Sequence, residues 1–291
     1  MAHERTVIIY HGKCPDGFGG AYAAWKKFGD AAEYIPMSYG KPVPEHMDGR
    51  ALYFVDFCFE QEKMDVLARV AGSLTVLDHH EGVRGVAISF PGVFDPARSG
   101  ASIAWEYFHP NTPIPYFIQM LEDYDLFRFS LPDTKAMNAY LTLEPFEFER
   151  WDEIATILND PTRRDSILSV GRIYAEHMDK LVEHITLGAD PVMFEGYRVY
   201  LSGSGVQAIT DFVGNKLAHE HPPFALVARP VADGIRVSLR GDGTVDVAEL
   251  ARRYGGNGHT SAAAFRLPWG APIPWSEAPA EPPENDEDSG H

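Results

Sequence analysis

Cysteine is almost missing: the 291 residues hold two, Cys14 and Cys58. Two thiols cannot build a disulfide framework, and they suit a reducing compartment, so the expected location is the cytoplasm. Long apolar runs are missing as well. No window approaches eighteen consecutive apolar residues, which excludes a transmembrane helix and a membrane partner. The N-terminal apolar run VIIY (7–10) is flanked by charge and too short for a secretory segment. Positive charge is scarce: 25 Lys and Arg face 42 Asp and Glu, a net charge of −17. Gripping long duplex nucleic acid draws on clustered Lys and Arg, so that class is excluded. A small anionic substrate is not, because a metal pair or an arginine can reverse the field inside one cleft. Part of the acidic surplus is peripheral. Residues 277–288 carry six acids and no base among Pro, Ala, Asn and Ser, so 276–291 reads as a disordered acidic tail.

What is present is an alternation of strand and helix signals. VIIY (7–10), LYFVDF (52–57) and SLTVLDHH (73–80) are buried-strand candidates. They are separated by AYAAWKKF (21–28) and EQEKMDVLARVA (60–71), which have helical spacing. That pattern predicts a parallel sheet with crossover helices. Residues 99–187 read as mostly helical. They open with a Ser cap at Ser99 or Ser102 and end in a long periodic helix that stops at Gly188. From 190 the alternation restarts in YRVYLSG (197–203), VQAITDFVGNKLAHE (206–220), FALVARPV (224–231), IRVSLRG (235–241) and VDVAELARRYG (245–255). The fold class is therefore α/β: an N-terminal parallel-sheet domain (1–188) joined by a helical segment to a smaller C-terminal α/β domain (189–275).

The chemistry is written at the strand ends. VIIY ends in His11, LYFV is followed by Asp56, and LTVL by Asp78-His79-His80. Ligands of open parallel sheets bind where the carboxyl ends of the strands converge. Carboxylate with imidazole is the donor set of Mn²⁺, Fe²⁺, Co²⁺, Zn²⁺ or Mg²⁺. Asp16, ahead of a Gly-rich stretch, reads either as a ligand or as a helix cap. Two consecutive histidines leaving a strand end point in different directions, so one can hold metal while the other faces substrate, with Asp78 orienting one of them.

These motifs, in this order, resemble the DHH phosphoesterase superfamily. Asp78-His79-His80 is similar to its signature, His11…Asp16-Gly17 to its first motif, Asp56 to its second, and LEDYD (121–125) to its fourth. The run 255–263, GGNGHTSAA, resembles the glycine-rich signature of the companion DHHA1 domain, and the match spans roughly residues 6–267. The resemblance implies a two-metal centre of up to two divalent ions, usually manganese. It implies His11, Asp16, Asp56, His79 and Asp123 as ligands, with Asp56 as the bridge and His80 facing the substrate phosphate. Asp125 competes with Asp123 for the fourth motif. One departure stands out. The family's first motif offers two aspartates, whereas this chain reads Cys14-Pro15-Asp16 or, shifted, Asp16-Gly17-Phe18. A Cys14 thiolate would favour Zn²⁺ or Fe²⁺ over Mn²⁺ or Mg²⁺, and Cys14 as simple packing is the alternative.

In the second domain, the resemblance makes Gly256, Gly258 and His259 a phosphate-gripping segment. A helix beginning near Thr260 would offer its free N–H groups, and Arg240 offers a planar fork. The expected function is metal-dependent hydrolysis of small nucleotide substrates: short oligoribonucleotides, nucleoside bisphosphates or linear dinucleotides. The alternatives are a polyphosphate or pyrophosphate hydrolase, and a nucleotide-binding module with a degraded metal centre. A homodimer is the general expectation for a soluble enzyme.

Overall fold

The computed structural model describes residues 6–279. The chain divides into two compact units, Met1–Met178 and Asp179–His291.

The first unit is built on β1 (Thr6–His11), β2 (Glu33–Met37), β3 (Ala51–Val55), β4 (Ser73–Asp78) and β5 (Gly92–Phe94). They form one sheet in the order β2-β1-β3-β4-β5, and every neighbouring pair is parallel. The helices of this unit are α1 (Pro15–Phe28), α2 (Gln61–Val70), α3 (Arg84–Ala87), α4 (Gly100–Phe108), α5 (Tyr116–Asp125), α6 (Thr134–Leu141) and α7 (Phe148–Asn159). The longest, α8 (Asp165–Leu187), runs across the division into the second unit.

The strands are apolar on both faces, as a sheet covered on both sides requires. Ile8, Tyr10, Val55 and Leu77 face a core with Phe18, Ala21, Trp105, Phe117 and Trp151 of the surrounding helices. Val7, Ile9, Leu52, Phe54 and Val76 face a second core with Met64 and Leu67 of α2. Chain order and spatial order part company between β1 and β3. Strand β2 lies on one side of β1, whereas β3, β4 and β5 follow on the other. This is the topological switch point, where loops leaving adjacent strands diverge and open a crevice.

The second unit holds β6 (Asp190–Phe194), β7 (Tyr197–Gly203), α9 (Gln207–Glu220), β8 (Phe224–Val231), β9 (Gly234–Gly241), α10 (Val247–Arg252), β10 (Asn257–His259), β11 (Ala262–Pro268) and β12 (Trp275–Glu277). Its sheet runs β10-β11-β9-β8-β7-β6-β12; only β7 and β8 are parallel, and the other pairs are antiparallel.

The α/β class, the parallel first sheet and the helical stretch agree with the sequence expectation, and Ser99 is the cap of α4, accepting from the Ser102 N–H at 3.3 Å. Several local readings change. The two compact units meet at Met178, inside α8, beyond which Val182 is buried and the Ile185 carbonyl accepts from Ser202 Oγ in β7. The second sheet runs past 275, since β12 pairs with β6 up to Glu277. No helix starts at Thr260: Thr260 and Ser261 turn the chain into strand β11, which is paired with β9 through seven residues. The rest of the expected tail, 280–291, lies outside the described residues. Among the described residues, no helix is long and apolar enough to cross a membrane.

Candidate metal centre

Strands β1 and β3, which flank the switch point, deliver His11 and Asp56. Asp56 sits one residue past β3 with φ of +56°, a left-handed conformation that Asp tolerates better than bulkier residues. Its backbone N–H still donates to Leu77 O at 2.9 Å, so the turn is tied to the end of β4 while the carboxylate swings over the sheet edge. There it meets three imidazoles. His11 Nδ1 lies 3.3 Å from Asp56 Oδ2, and His79 Nε2 and His80 Nδ1 lie 3.1 and 3.5 Å from Asp56 Oδ1.

Asp78, the last residue of β4, is fully buried and organises that corner. Its Oδ1 accepts from the His79 and His80 backbone N–H groups at 2.7 and 3.0 Å and lies 2.8 Å from His80 Nδ1. The two imidazoles therefore converge, with ring centroids 4.3 Å apart. This corrects the expectation that they point in different directions: one carboxylate folds both backbone N–H groups around itself.

The first motif is read as Cys14-Pro15-Asp16, because Phe18 is buried, stacked on Phe148 and edge-on to Trp151. Cys14 is the N-cap residue of α1 and makes no side-chain cap bond. Asp16 does not cap its own helix. Its carboxylate crosses to α4 and accepts from Gly100 N at 2.6 Å and Ala101 N at 3.0 Å, where free N–H groups favour an anion. That pair of donors was not foreseen, although the Ser-Gly-Ala-Ser run at 99–102 marks the helix start that supplies it.

Asp125, the last residue of α5, places Oδ2 3.6 Å from His79 Nε2, and Asp16 Oδ2 lies 3.7 Å from the same nitrogen. Asp123 does not join them. It accepts from Ser130 N and Oγ at 2.9 and 2.5 Å, Leu131 N at 3.1 Å and Thr134 Oγ1 at 2.6 Å, and so holds the loop between α5 and α6. The preference for Asp123 over Asp125 is thus corrected. Two residues on a helix are about 200° apart, so only one of the pair can face the histidines.

Three groups emerge whose ligand atoms lie within 4.8 Å of one another: His11, Cys14 and Asp56; Asp56, His79 and His80; and Asp16, His79 and Asp125. Asp56 and His79 each belong to two. Burial pushes the Asp56 carboxyl up, but His80, His11 and His79 outweigh it and hold the group well below the usual carboxylate range. Asp16 goes the other way, driven well up by burial and the neighbouring Asp125 and Asp56 charges. Burial likewise lifts Asp125 to about 6 and the Cys14 thiol well above its ordinary value. Burial opposes protonation of the histidines, yet the carboxylates raise His79 to about 10 and His80 to about 9. Among the described residues, the ion-pair partners of Asp16, Asp56 and Asp125 are histidines only. A buried carboxylate cluster short of cationic side chains, with imidazole and thiol donors interleaved, fits divalent metal.

The residues expected to hold substrate in the second unit fall on one stretch of sheet. Arg240 of β9 is in register with Ala262 of β11, which is in register with His259 of β10. Arg240 and His259 therefore share a face two strands apart, about 10 Å, with a methyl group between them. Arg240 is ion-paired with Asp211 of α9 and donates from Nη1 to Leu239 O at 2.7 Å. Gly256 and Gly258 serve the hairpin itself. A Cβ would lie 2.3 Å from Ala264 O at the first and 2.4 Å from Ala262 O at the second.

No protein-family model matches the chain. The uncharacterized protein R106 of Acanthamoeba polyphaga mimivirus is 27% identical over 289 residues, covering 90% of this chain and 67% of that protein. Among solved structures, the DHH domain of a member of a ribosomal-protein family superposes with a TM-score of 0.59 at 12% identity, covering 90% of this chain and 83% of that one. The chain has the DHH fold. RecJ from Thermus thermophilus in complex with Mn²⁺ shares this fold at a TM-score of 0.52, with 15% identity over 91% of this chain and 50% of RecJ. The pGpG-specific phosphodiesterase PggH from Vibrio cholerae does so at 0.50, with 16% identity over 91% and 93%. Within this DHH fold, His11, Asp56 and the Asp78-His79-His80 run lie at the carboxyl edge of the parallel sheet.

Proposed function

We propose that the chain is a divalent-metal-dependent phosphoesterase that hydrolyses small phosphorylated nucleotides: short oligoribonucleotides, nucleoside bisphosphates or linear dinucleotides. The observation that carries this reading is the linkage of three ligand groups through Asp56 and His79. Asp56 offers one oxygen to the His11 side and the other to the His79 side, the arrangement of a bridging carboxylate. His11, Asp16, Asp56, His79 and Asp125 would hold up to two ions, with Cys14 beside them. Ions held there would polarise a phosphoryl oxygen and lower the pKa of water at the site; manganese, present in the RecJ complex, is the first to try.

The chain's own groups supply the rest. Asp16, fixed by two N–H donors, orients its carboxylate without side-chain rotation. Asp78 locks the position of His80, which can present an N–H to a phosphate or hand a proton to a departing oxygen. In the second unit, Arg240 and His259, with the backbone around Gly256 and Gly258, would bind phosphate. PggH, which is specific for pGpG, supports dinucleotides as first candidates. Working in the cytoplasm fits the two free thiols, and a homodimer is the default assembly.

The test is product release from a labelled linear dinucleotide with added Mn²⁺, Co²⁺ or Zn²⁺. Release that stops with chelator supports the reading. Phosphate release from polyphosphate but not from dinucleotides would transfer it to a polyphosphate hydrolase. Binding without turnover would point to a nucleotide-binding module.

A further inference from the structure

Two of the three ligand groups have no residue in common, and their donors differ in kind. His11, Cys14 and Asp56 offer nitrogen, sulfur and oxygen; Asp16, His79 and Asp125 offer two oxygens and one nitrogen. We propose that the centre is chemically asymmetric, with a thiolate-bearing position selecting zinc or ferrous iron and an oxygen-rich position selecting manganese or magnesium. The inference rests on the two-ion reading of the same site and adds the identity of each ion.

The Cys14 sulfur lies with a His11 nitrogen and an Asp56 oxygen, all within 4.8 Å of one another, at the N-cap of α1. The Cys14 backbone is fixed, since Cys14 O accepts from Phe18 N at 3.0 Å. An aspartate in its place could cap the helix and still ligate. What sulfur adds is softness: thiolate ligands favour Zn²⁺ and Fe²⁺, whereas carboxylate sets suit Mn²⁺ and Mg²⁺. Three protein donors is also the number zinc uses where one coordination position stays open for water or substrate. The third group, Asp56, His79 and His80, draws one residue from each side and joins the two positions. Binding at the first position breaks the Cys14 S–H bond, forms a sulfur–metal bond and releases the proton to solvent.

Cobalt(II) is the probe, because cobalt bound to sulfur absorbs strongly in the near ultraviolet and cobalt bound to oxygen and nitrogen alone does not. The full chain, stripped by chelator, is titrated with Co²⁺ while bound metal is counted by elemental analysis. The expected result is two cobalt ions per chain, with a sulfur charge-transfer band that saturates at the first. Zn²⁺ should abolish the band and Mn²⁺ should not. Cys14→Ser should lose the band, keep the second cobalt, and weaken zinc binding by at least ~10-fold, the lower range for losing even an outer-sphere partner. Two bound cobalt ions with no such band, or a band that persists in Cys14→Ser, would overturn the asymmetry while leaving the two-ion reading intact. If no cobalt binds at all, both fall together.

Discussion

Asp56 concentrates the chemistry of one residue's backbone and side chain. Its left-handed backbone aims the carboxylate back over the strand ends, and the side chain then meets His11, His79 and His80 at once. Asp125 and Asp123, two positions apart on α5, have opposite duties, and substitution separates them. Asp125→Asn should lower the metal bound per chain with little change in melting temperature. Asp123→Ala should leave metal content unchanged but cost about 3 kcal/mol, the upper range for hydrogen bonds to a charged group, because Ser130, Leu131 and Thr134 lose their acceptor. Elemental analysis and thermal unfolding on both variants check this; metal loss in Asp123→Ala alone would reverse the assignment.

Protons compete with metal at the same atoms, and the sign follows from the raised pKa values. Without metal, His79 holds its proton up to about 10 and His80 up to about 9, while Asp16 and the Cys14 thiol are pushed up as well. Loading an ion at neutral pH must expel these protons. Affinity should therefore fall as pH drops below 7 and rise with pH across the range in which these groups lose their protons. Calorimetric titration in buffers of different ionisation enthalpy reads the release directly, and binding without proton release would contradict it.

Elements act here through close approach. The first turn of α4 is pressed against the Asp56 and Asp16 carboxylates: a Cβ at Gly100 would lie 2.6 Å from Asp56 Cβ and 3.0 Å from Asp16 Oδ2. Gly100→Ala should cost about 2 kcal/mol by overpacking and weaken metal binding with it. Gly85→Ala in α3, where a new methyl meets nothing within 4 Å, should leave both unchanged. Stability and metal content of the pair test whether the α4 start is part of the centre. The strands that end at the candidate centre were legible because each is a buried apolar run followed by a polar residue. Strands β2 and β5 were not: the first is half exposed with Pro36 inside it, and the second has only three residues. The 260–267 stretch has no polar alternation to separate strand from helix, and pairing with β9 decides it. Likewise, the Asp123 and Asp125 ambiguity could not be resolved from spacing, because the face each presents depends on where α5 ends.

The whole molecule carries −17, and many of its cationic side chains are paired with acids, although Arg229, Arg236 and Arg266 stand side by side across β8, β9 and β11. Long duplex DNA should therefore show no measurable binding at physiological salt, whereas a short oligonucleotide should bind when divalent metal is present. Fluorescence anisotropy with both ligands, with and without chelator, checks this. Tight duplex binding would contradict the preference for small substrates. At this scale the sequence was most informative about class, since charge, thiol content and the strand–helix alternation each exclude whole categories. It could not say which donor atoms converge, because that depends on turns such as the one at Asp56.

The most direct test of the phosphoesterase reading is hydrolysis of a labelled linear dinucleotide by metal-loaded wild type and Asp56→Ala, with bound metal measured on the same samples. The account predicts mononucleotide release by the wild type with up to two ions bound, and loss of both release and metal in Asp56→Ala. Metal-loaded wild type that releases nothing, or Asp56→Ala that turns over normally, would contradict it.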